Sequence, residues 1–239
     1  MSVSASPPLS LTLADHIDVV LDDIYARGTT EVEGGTERPI EPTGMRRDQG
    51  EAIARLVESI GARRTIETGF AFGLSGLFMV RGMLRSGLDP HAGTAAHFAF
   101  DPFQECNWGN AGLRLFGRAQ ASHLLRFERG RSEYALPRLA EAGERFDVGL
   151  IDGDHKFDAT FADALYMRRL IKPGGVLLID DIWLPSVRGV VNFFVDNGVF
   201  VEDRELSPAL GQATAVLRVP DAPDARSWDH FVPFDFAPR

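Results

Sequence analysis

The sequence has few of the features that mark secreted or membrane proteins. Cys106 is the one cysteine among 239 residues, so no intramolecular disulfide can form and a reducing compartment is favoured. No apolar run approaches the roughly 20 residues that cross a bilayer. The first residues, 1–16, lack the basic and apolar regions of a signal peptide. We therefore expect a soluble, cytoplasmic protein.

Positive charge is also scarce. The 34 Asp and Glu residues outnumber 25 Lys and Arg residues, which gives a net charge of −9, and the basic residues are scattered. Nucleic acids and anionic membranes are therefore not expected as partners. Two catalytic motifs are missing as well. There is no G-x-S-x-G elbow of a hydrolase, and Ala71 and Phe72 break the dinucleotide-binding pattern G-x-G-x-x-G.

The composition is that of an ordinary globular protein, 44% hydrophobic and 25% charged, in a chain long enough for one large domain. Its most informative stretch is FDVGLIDGDHKFDATFADALYMRRLIKPGGVLLIDD, residues 146–181. The pattern predicts a strand, an acidic loop, a helix, a turn at Pro173-Gly174-Gly175 and a second strand, which together make one βαβ unit. The uniformly apolar second strand is typical of a parallel sheet covered on both faces.

Acidic residues follow both strands of this unit. Asp152 comes after the first strand, and Asp180 and Asp181 come after the second. Parallel strands end at one edge of the sheet, where the ligands of open α/β sheets bind. Three acids at that edge repel one another unless a cation lies between them, and oxygen ligands suit a hard ion such as Mg²⁺. Capping of the following helices is the alternative for any single acid, but three together favour a metal or a cofactor.

A glycine-containing turn indicates a second part of the site. The stretch TIETGFAFGLS, from Thr65, predicts a strand, a turn and the start of a helix. Gly69 lets the backbone turn, Gly73 allows a ligand to approach, and Ser75 lies at the helix N-terminus, where backbone N–H groups favour an anion. About 30 residues later Asp101 ends the next strand. It is either an acid that binds a ribose hydroxyl or the opener of an Asp-Pro turn.

Three regions are predicted along the chain. Residues 1–44 contain an amphipathic helix, Asp15–Ala26, and a polar loop, Gly28–Gly44, which is either a disordered linker or a lid over a site. Residues 45–220 form the main domain. The aromatic-rich tail, residues 221–239, is a packed arm, a wall of the substrate pocket or a contact in a homodimer.

The combined pattern resembles the class I S-adenosylmethionine-dependent methyltransferases. More narrowly, it resembles the metal-dependent O-methyltransferases typified by catechol O-methyltransferase and the macrocin-type sugar O-methyltransferases. The residues that carry this resemblance are Glu67-x-Gly69-x-x-x-Gly73-x-Ser75, Asp101, Asp152-Gly-Asp-His155 and Pro173-Gly-Gly ending at Asp180-Asp181. The resemblance implies a doubly wound, Rossmann-like α/β fold with an N-terminal helical segment. Its seven-stranded sheet is mostly parallel with an antiparallel last strand, and we expect the last two strands to form an antiparallel edge pair.

The resemblance also implies where the cofactor S-adenosylmethionine binds. Its methionine part is expected at the glycine turn, its ribose near Asp101 and its adenine near Ser132. Two positions depart from the common pattern, since Ala71 stands where a glycine is usual and Ala99 stands where many relatives have the ribose acid. The full set of implied cofactor-binding residues is Glu67, Gly69, Phe70, Gly73, Ser75, Asp101, Ser132 and Asp152.

By the same resemblance, Mg²⁺ or another divalent cation is bound by Asp152, Asp180 and Asp181. His155, three residues after the first of these acids, stands where the catechol-type enzymes have a lysine base, and it is the implied general base. The predicted function is metal-assisted methyl transfer from S-adenosylmethionine to a hydroxyl group of a small molecule, such as a natural product, a sugar or a phenol. The alternatives are a catalytically silent S-adenosylmethionine-binding domain and an N-methyltransferase, which needs no metal.

Overall fold

The computed structural model describes residues 11–206, 210 and 213–236. The first ten residues of the predicted N-terminal region and the last three of the predicted tail lie outside the described residues. The elements, in chain order, are α1 (Leu13–Arg27), β1 (Thr29–Glu31), β2 (Glu37–Pro39), α2 (Arg47–Ser59), β3 (Thr65–Thr68), α3 (Leu74–Arg85), β4 (His97–Phe100), α4 (Ala111–Arg118), a 3₁₀ turn (Ser122–Leu124), β5 (Leu125–Glu128), α5 (Ser132–Glu141), β6 (Phe146–Ile151), α6 (Phe157–Leu170), β7 (Ile171–Ile179), α7 (Pro185–Asp196), β8 (Val201–Glu202) and β9 (Ala215–Arg218).

In the described part of the chain, the main sheet has seven strands in the order β5-β4-β3-β6-β7-β9-β8. The strands from β5 to β7 pair in parallel, whereas β9 is antiparallel to both of its neighbours, β7 and β8. The predicted doubly wound fold with an antiparallel last strand is therefore confirmed. The last two strands form the antiparallel pair at one edge, as expected, with β8 outermost.

Helices cover both faces of this sheet. One apolar cluster contains buried residues of α1 to α4, and a second contains those of α5 to α7. Successive strand residues point to opposite faces, so Leu178 belongs to the first cluster and its neighbour Leu177 to the second. Both are fully buried, as the apolar pattern predicts. None of the described helices combines the length and the apolarity that crossing a membrane requires.

The predicted turn at Pro173-Gly174-Gly175 is wrong. α6 ends at Leu170 and the chain enters β7 directly, so these three residues lie inside a strand. The pyrrolidine ring disfavours helical geometry at the residue before it, which explains why the helix stops early. Gly174 has φ +74°, and its N–H donates to the carbonyl oxygen of Val219 at 2.9 Å. The Pro-Gly-Gly segment thus shapes the start of the strand that ends at the acid pair.

The loop Gly28–Gly44 contains a β-hairpin, because β1 and β2 pair antiparallel. The hairpin packs on the segment after β4. The N–H of Glu33 donates to the carbonyl oxygen of Gly109 at 2.7 Å, and the side chain of Asn110 donates to the Glu33 carboxylate at 2.6 Å. This loop is therefore a folded part of the domain rather than a disordered linker, and a role as a lid stays a prediction.

The tail contacts α7 through residues 232–236, although most of its described residues are exposed. It follows α7 backwards, from the C-terminal end of the helix toward its N-terminus. Asn197 accepts a hydrogen bond from the tail backbone at 2.7 Å, and Asn192 donates one to it at 2.6 Å. The Phe236 ring then covers Gly189, where an added Cβ would lie 2.5 Å from ring carbons. A role of the arm as a pocket wall or in a homodimer stays a prediction.

Candidate active site

The glycine turn after β3 lies against the chain that follows β6. Gly69 has φ +85°, and an added Cβ there would lie 2.0 Å from the carbonyl oxygen of Asp152. Gly73 has φ +73° and immediately precedes α3. Ala71 also has a positive φ, +41°, in a region that L-residues with a Cβ avoid. The turn therefore keeps the shape of a glycine loop although its central residue carries a side chain.

Asp101 holds this turn in place. Its carboxylate accepts hydrogen bonds from the N–H of Ala71 at 2.9 Å, from the N–H of Phe103 at 2.8 Å and from the Gln104 side chain at 3.3 Å. The bond from the N–H two residues on is the Asp-Pro turn that the sequence allowed. The turn opener is thus confirmed, whereas binding of a ribose by Asp101 stays a prediction.

Glu67 and Ser75 lie behind the turn and bind each other. The Ser75 hydroxyl donates to Glu67 Oε2 at 2.6 Å, and His97 Nε2 contacts Glu67 Oε1 at 3.0 Å. The other nitrogen of His97 lies 2.9 Å from the Thr65 hydroxyl. Both the Glu67 and the His97 side chains are fully buried. This network fixes the start of α3 relative to β3, and the predicted contact of Glu67 and Ser75 with a cofactor stays a prediction.

The predicted cofactor-binding residues Phe70 and Ser132 lie in different parts of the structure. The Phe70 ring is buried between Phe116 and Phe127, with ring centroids 5.5 and 5.3 Å away, so only its backbone faces the turn. Ser132 begins α5, on the other side of the sheet edge. Near it lies Asp163 of α6, which sequence reasoning did not single out.

Asp163 is 4% exposed, and its Oδ1 has no hydrogen-bond partner among the described residues. Burial raises the pKa of Asp163 to about 6, although Ser132 and Thr68 act to lower it. Burial therefore allows this carboxyl group to stay protonated at a higher pH than an exposed one.

Asp152, His155 and Asp181 meet at the carboxyl edge of the sheet. His155 Nε2 lies 3.6 Å from Asp152 Oδ1 and 3.2 Å from Asp181 Oδ2. Neither contact has hydrogen-bond geometry, so this buried nitrogen has no hydrogen-bond partner in the described part of the chain. One ligand atom from each of the three residues lies within 4.8 Å of the others, a spacing that could hold a metal ion.

The charges in this cluster act on one another. Withdrawal of the carboxyl from water raises the pKa of Asp152 to about 6, and the neighbouring Asp180 and Asp181 add to the rise while His155 opposes it. The same carboxylates raise the pKa of His155, with Asp152 as the largest cause. The cluster has two acids facing one imidazole, and a divalent cation would relieve the repulsion between those acids.

Asp180 lies beside this cluster but is held by other residues. Its Oδ2 accepts from the Gln49 side chain at 2.9 Å, and its Oδ1 accepts from the Thr214 hydroxyl at 2.6 Å. Asp181 adopts φ +56°, and its Oδ1 accepts from the Trp183 indole at 2.8 Å. The structure therefore brings two of the three predicted metal acids to His155 and ties the third into a separate network. Metal binding by all three stays a prediction.

A narrow pocket connects the two halves of the site. It has a volume of about 30 Å³, and its walls are the segments 43–45 and 69–75 together with Asp152. Asp152 belongs to both halves of the site. Its backbone contacts the glycine turn, and its carboxylate is part of the acid cluster that it forms with His155 and Asp181. Residues 43–45, which follow the hairpin, form the remaining wall.

Sequence reasoning missed four residues that shape the site. Gln49 and Thr214 hold Asp180, Gln104 bonds to both Asp101 and the Ala71 carbonyl, and His97 supports Glu67. Gln104 follows Asp101 by three residues, so a polar residue in that turn was a weak signal. The other three act across long sequence separations, and no spacing in the sequence marks them.

The strand order, the antiparallel β9 and the glycine turn after β3 define the class I methyltransferase fold. Residues 66–182 match the family model described as a methyltransferase domain. No curated protein is significantly similar in sequence to this chain.

Solved structures share the fold at low sequence identity. The cofactor-bound Rv0187 protein from MTB is 17% identical, with a TM-score of 0.62, over 91% of this chain and 94% of that one. The O-methyltransferase from Bacillus cereus in complex with SAH is 17% identical, with a TM-score of 0.59, over 89% and 93%. The O-methyltransferase TomG from Streptomyces achromogenes, involved in tomaymycin synthesis and solved with SAM, is 18% identical, with a TM-score of 0.59, over 86% and 89%.

Proposed function

We propose that this protein is an S-adenosylmethionine-dependent O-methyltransferase that uses a divalent cation and acts on a hydroxyl group of a small molecule. The observation that carries the proposal is the buried, unpartnered Nε2 of His155, which faces Asp152 and Asp181 beside the glycine turn. The methyltransferase domain model and the O-methyltransferases among the solved structures support the reaction class.

The pocket at the glycine turn supports cofactor binding. Backbone N–H groups at the start of α3 favour the carboxylate of the methionine part. When bound, S-adenosylmethionine supplies a methyl group that its sulfonium makes electrophilic. The pocket volume of about 30 Å³ is close to that of a single water, so the walls of the pocket have to open further when the whole cofactor binds. Residues 43–45, which follow the hairpin, form one of these walls, and in this proposal they act as the lid.

The acid cluster fits a cation by its chemistry. Asp152 and Asp181 offer hard oxygen ligands, and they lie within 4.8 Å of the His155 nitrogen, which stays available as a base. A bound divalent cation supplies Lewis acidity, which lowers the pKa of the acceptor hydroxyl. Trp183 keeps Asp181 in its observed orientation through the indole hydrogen bond, and its side chain is 67% exposed.

His155 is the general base in this proposal. Its Nε2 is free of hydrogen bonds, so it can accept the proton of a hydroxyl that enters the cluster. Ser186 of α7 donates a hydrogen bond to the His155 carbonyl oxygen at 2.7 Å, which limits movement of the loop. Alignment of the acceptor with the methyl group then depends on the walls of the pocket.

The test uses the His155→Ala variant with an acceptor found in a panel of phenols and sugars. We expect kcat to fall by about 10² to 10⁴, the usual contribution of a general base, with little change in the affinity for S-adenosylhomocysteine. A chelator should abolish turnover by the wild type. His123→Ala, which changes an exposed histidine away from the acid cluster, is the matched control.

Four outcomes would contradict parts of the proposal. Near-wild-type kcat for His155→Ala would exclude His155 as the base, and full activity in chelator would exclude the cation from the reaction. Methyl transfer to amines but to no hydroxyl acceptor would favour an N-methyltransferase. Binding of S-adenosylhomocysteine without methyl transfer to any hydroxyl would favour a catalytically silent domain.

A further inference from the structure

Gln49, Thr214 and Asp180 form a closed triangle of hydrogen bonds. The Gln49 side-chain amide donates to Asp180 Oδ2 at 2.9 Å and to Thr214 Oγ1 at 3.0 Å, and the Thr214 hydroxyl donates to Asp180 Oδ1 at 2.6 Å. A primary amide has two hydrogens, and a hydroxyl can accept one bond while it donates another. Every bond in the triangle can therefore form at once, and each carboxylate oxygen receives one.

This triangle joins three separate parts of the fold. Gln49 lies in the first turn of α2, Thr214 directly precedes β9, and Asp180 directly follows β7. Gln49 and Thr214 are both buried. Their contacts with Asp180 span 131 and 34 residues of sequence, so the bonds form only in the assembled domain.

The position of Asp180 controls that of Asp181. The two residues are adjacent, and Asp181 has φ +56°, in the left-handed region that Asp adopts more readily than most residues with a Cβ. The Asp181 carboxylate is oriented by Trp183 on one oxygen and faces His155 with the other. A shift of the Asp180 side chain would therefore move the backbone from which Asp181 reaches the cluster.

We propose that Gln49 is a positioning residue for the cation site, which it supports by fixing Asp180 and, through it, Asp181. The inference rests on the proposed function, because it assumes that this cluster binds a cation. Among the described residues, the Gln49 side chain is hydrogen-bonded to Asp180 and Thr214 and not to Asp152, His155 or Asp181. Partners that orient ligand side chains in this way commonly change metal affinity by about 10- to 100-fold.

The experiment measures the affinity of the full-length protein for Mn²⁺ by calorimetry, with S-adenosylhomocysteine present. Gln49→Leu should weaken Mn²⁺ binding by about 10- to 100-fold. The same substitution in an Asp180→Asn background should have no further effect, because the residue through which it acts has already been changed. Ser59→Ala, which removes the hydrogen bond from a side chain of the same helix to the Leu56 carbonyl, should leave Mn²⁺ affinity unchanged.

A second pair of variants keeps the inference testable if Gln49→Leu fails to fold. Thr214→Val removes the other hydrogen bond to Asp180 and should weaken Mn²⁺ binding, whereas Thr214→Ser keeps the hydroxyl and should retain it. A general loss of structure would lower the melting temperature and the affinity for S-adenosylhomocysteine together. A positioning role changes the Mn²⁺ affinity alone.

The outcomes separate this inference from the function on which it rests. Wild-type Mn²⁺ affinity in Gln49→Leu, or equal affinity in Thr214→Val and Thr214→Ser, would overturn the inference and leave the proposed cation site in place. Equal effects of Gln49→Leu in the wild-type and Asp180→Asn backgrounds would show that Gln49 acts elsewhere. Absence of Mn²⁺ binding by the wild type would overturn the cation site and this inference with it.

Discussion

The buried carboxyl of Asp163 makes the stability of the protein depend on pH. Its pKa is raised by burial from an ordinary 3.8 to about 6, and Oδ1 has no hydrogen-bond partner among the described residues. The folded state holds the proton more tightly than the unfolded chain does. Ionisation of the Asp163 carboxyl therefore lowers the free energy of unfolding. Its unfavourable contribution is absent below pH 3.8, grows as the pH rises, and is complete above about pH 6.

The size of the effect follows from the two pKa values. The difference between 3.8 and about 6 corresponds to about 3 kcal/mol of unfolding free energy. From about pH 4.5 to about pH 7.5, this contribution to the free energy of unfolding changes by about 2 kcal/mol. The Asp163→Asn variant has a neutral side chain of the same shape, so it should become more stable relative to the wild type by about 2 kcal/mol across this range.

Urea unfolding followed by circular dichroism, at a series of pH values, measures this difference. Titrations shared by both proteins cancel when the two free energies are subtracted at each pH. Asp158→Asn, which replaces an exposed acid of the same helix, controls for the loss of one negative charge from α6. If the free energies of Asp163→Asn and the wild type differ by a constant amount at every pH, the carboxyl is not desolvated and the reasoning fails.

Two glycine substitutions test close contacts that the structure shows. Gly69→Ala places a Cβ 2.0 Å from a carbonyl oxygen, whereas Gly61→Ala has a similar φ of +65° with nothing within 4 Å. Calorimetry should therefore show loss of S-adenosylhomocysteine binding for the first variant alone, and equal binding by both would contradict the proposed pocket. Gly189→Ala should displace the Phe236 ring, because the added Cβ would lie 2.5 Å from it, and should modestly speed tryptic cleavage of the tail. Gly117→Ala, in an open position of α4, is its control, and unchanged cleavage of Gly189→Ala would show that the arm is not held there.

Local patterns were sufficient for the framework of the site. The apolar run Phe146–Ile151 was predicted with the bounds that the structure shows for β6, and the glycine turn lies between β3 and α3 as expected. Parallel pairing of β6 with β7 places Ile151 opposite Ile179, so the acids after both strands reach one edge. Such features depend on side-chain periodicity and on backbone preferences that act within a few residues.

Local sequence patterns did not predict the structure where a segment lacks periodicity, or where the same residues occur both in turns and in strands. The polar stretch Gly28–Gly44 gave no hint of a hairpin, because its strands have three residues each and are held by contacts with the segment after β4. Pro173-Gly174-Gly175 was predicted as a turn since proline and glycine dominate turns, but here the segment pairs with the chain beyond β9. The aromatic tail gave no indication of the helix on which it packs.

The sequence by itself determined the fold class, the edge of the sheet that carries the site and the residue types available there. Only the tertiary structure decided that Asp181 rather than Asp180 faces His155 together with Asp152. That choice depends on a positive φ at Asp181 and on hydrogen bonds from Gln49 and Thr214. A strand pattern specifies where a chain ends, but the direction of each carboxylate is set by partners that are distant in sequence and meet only when the domain is assembled.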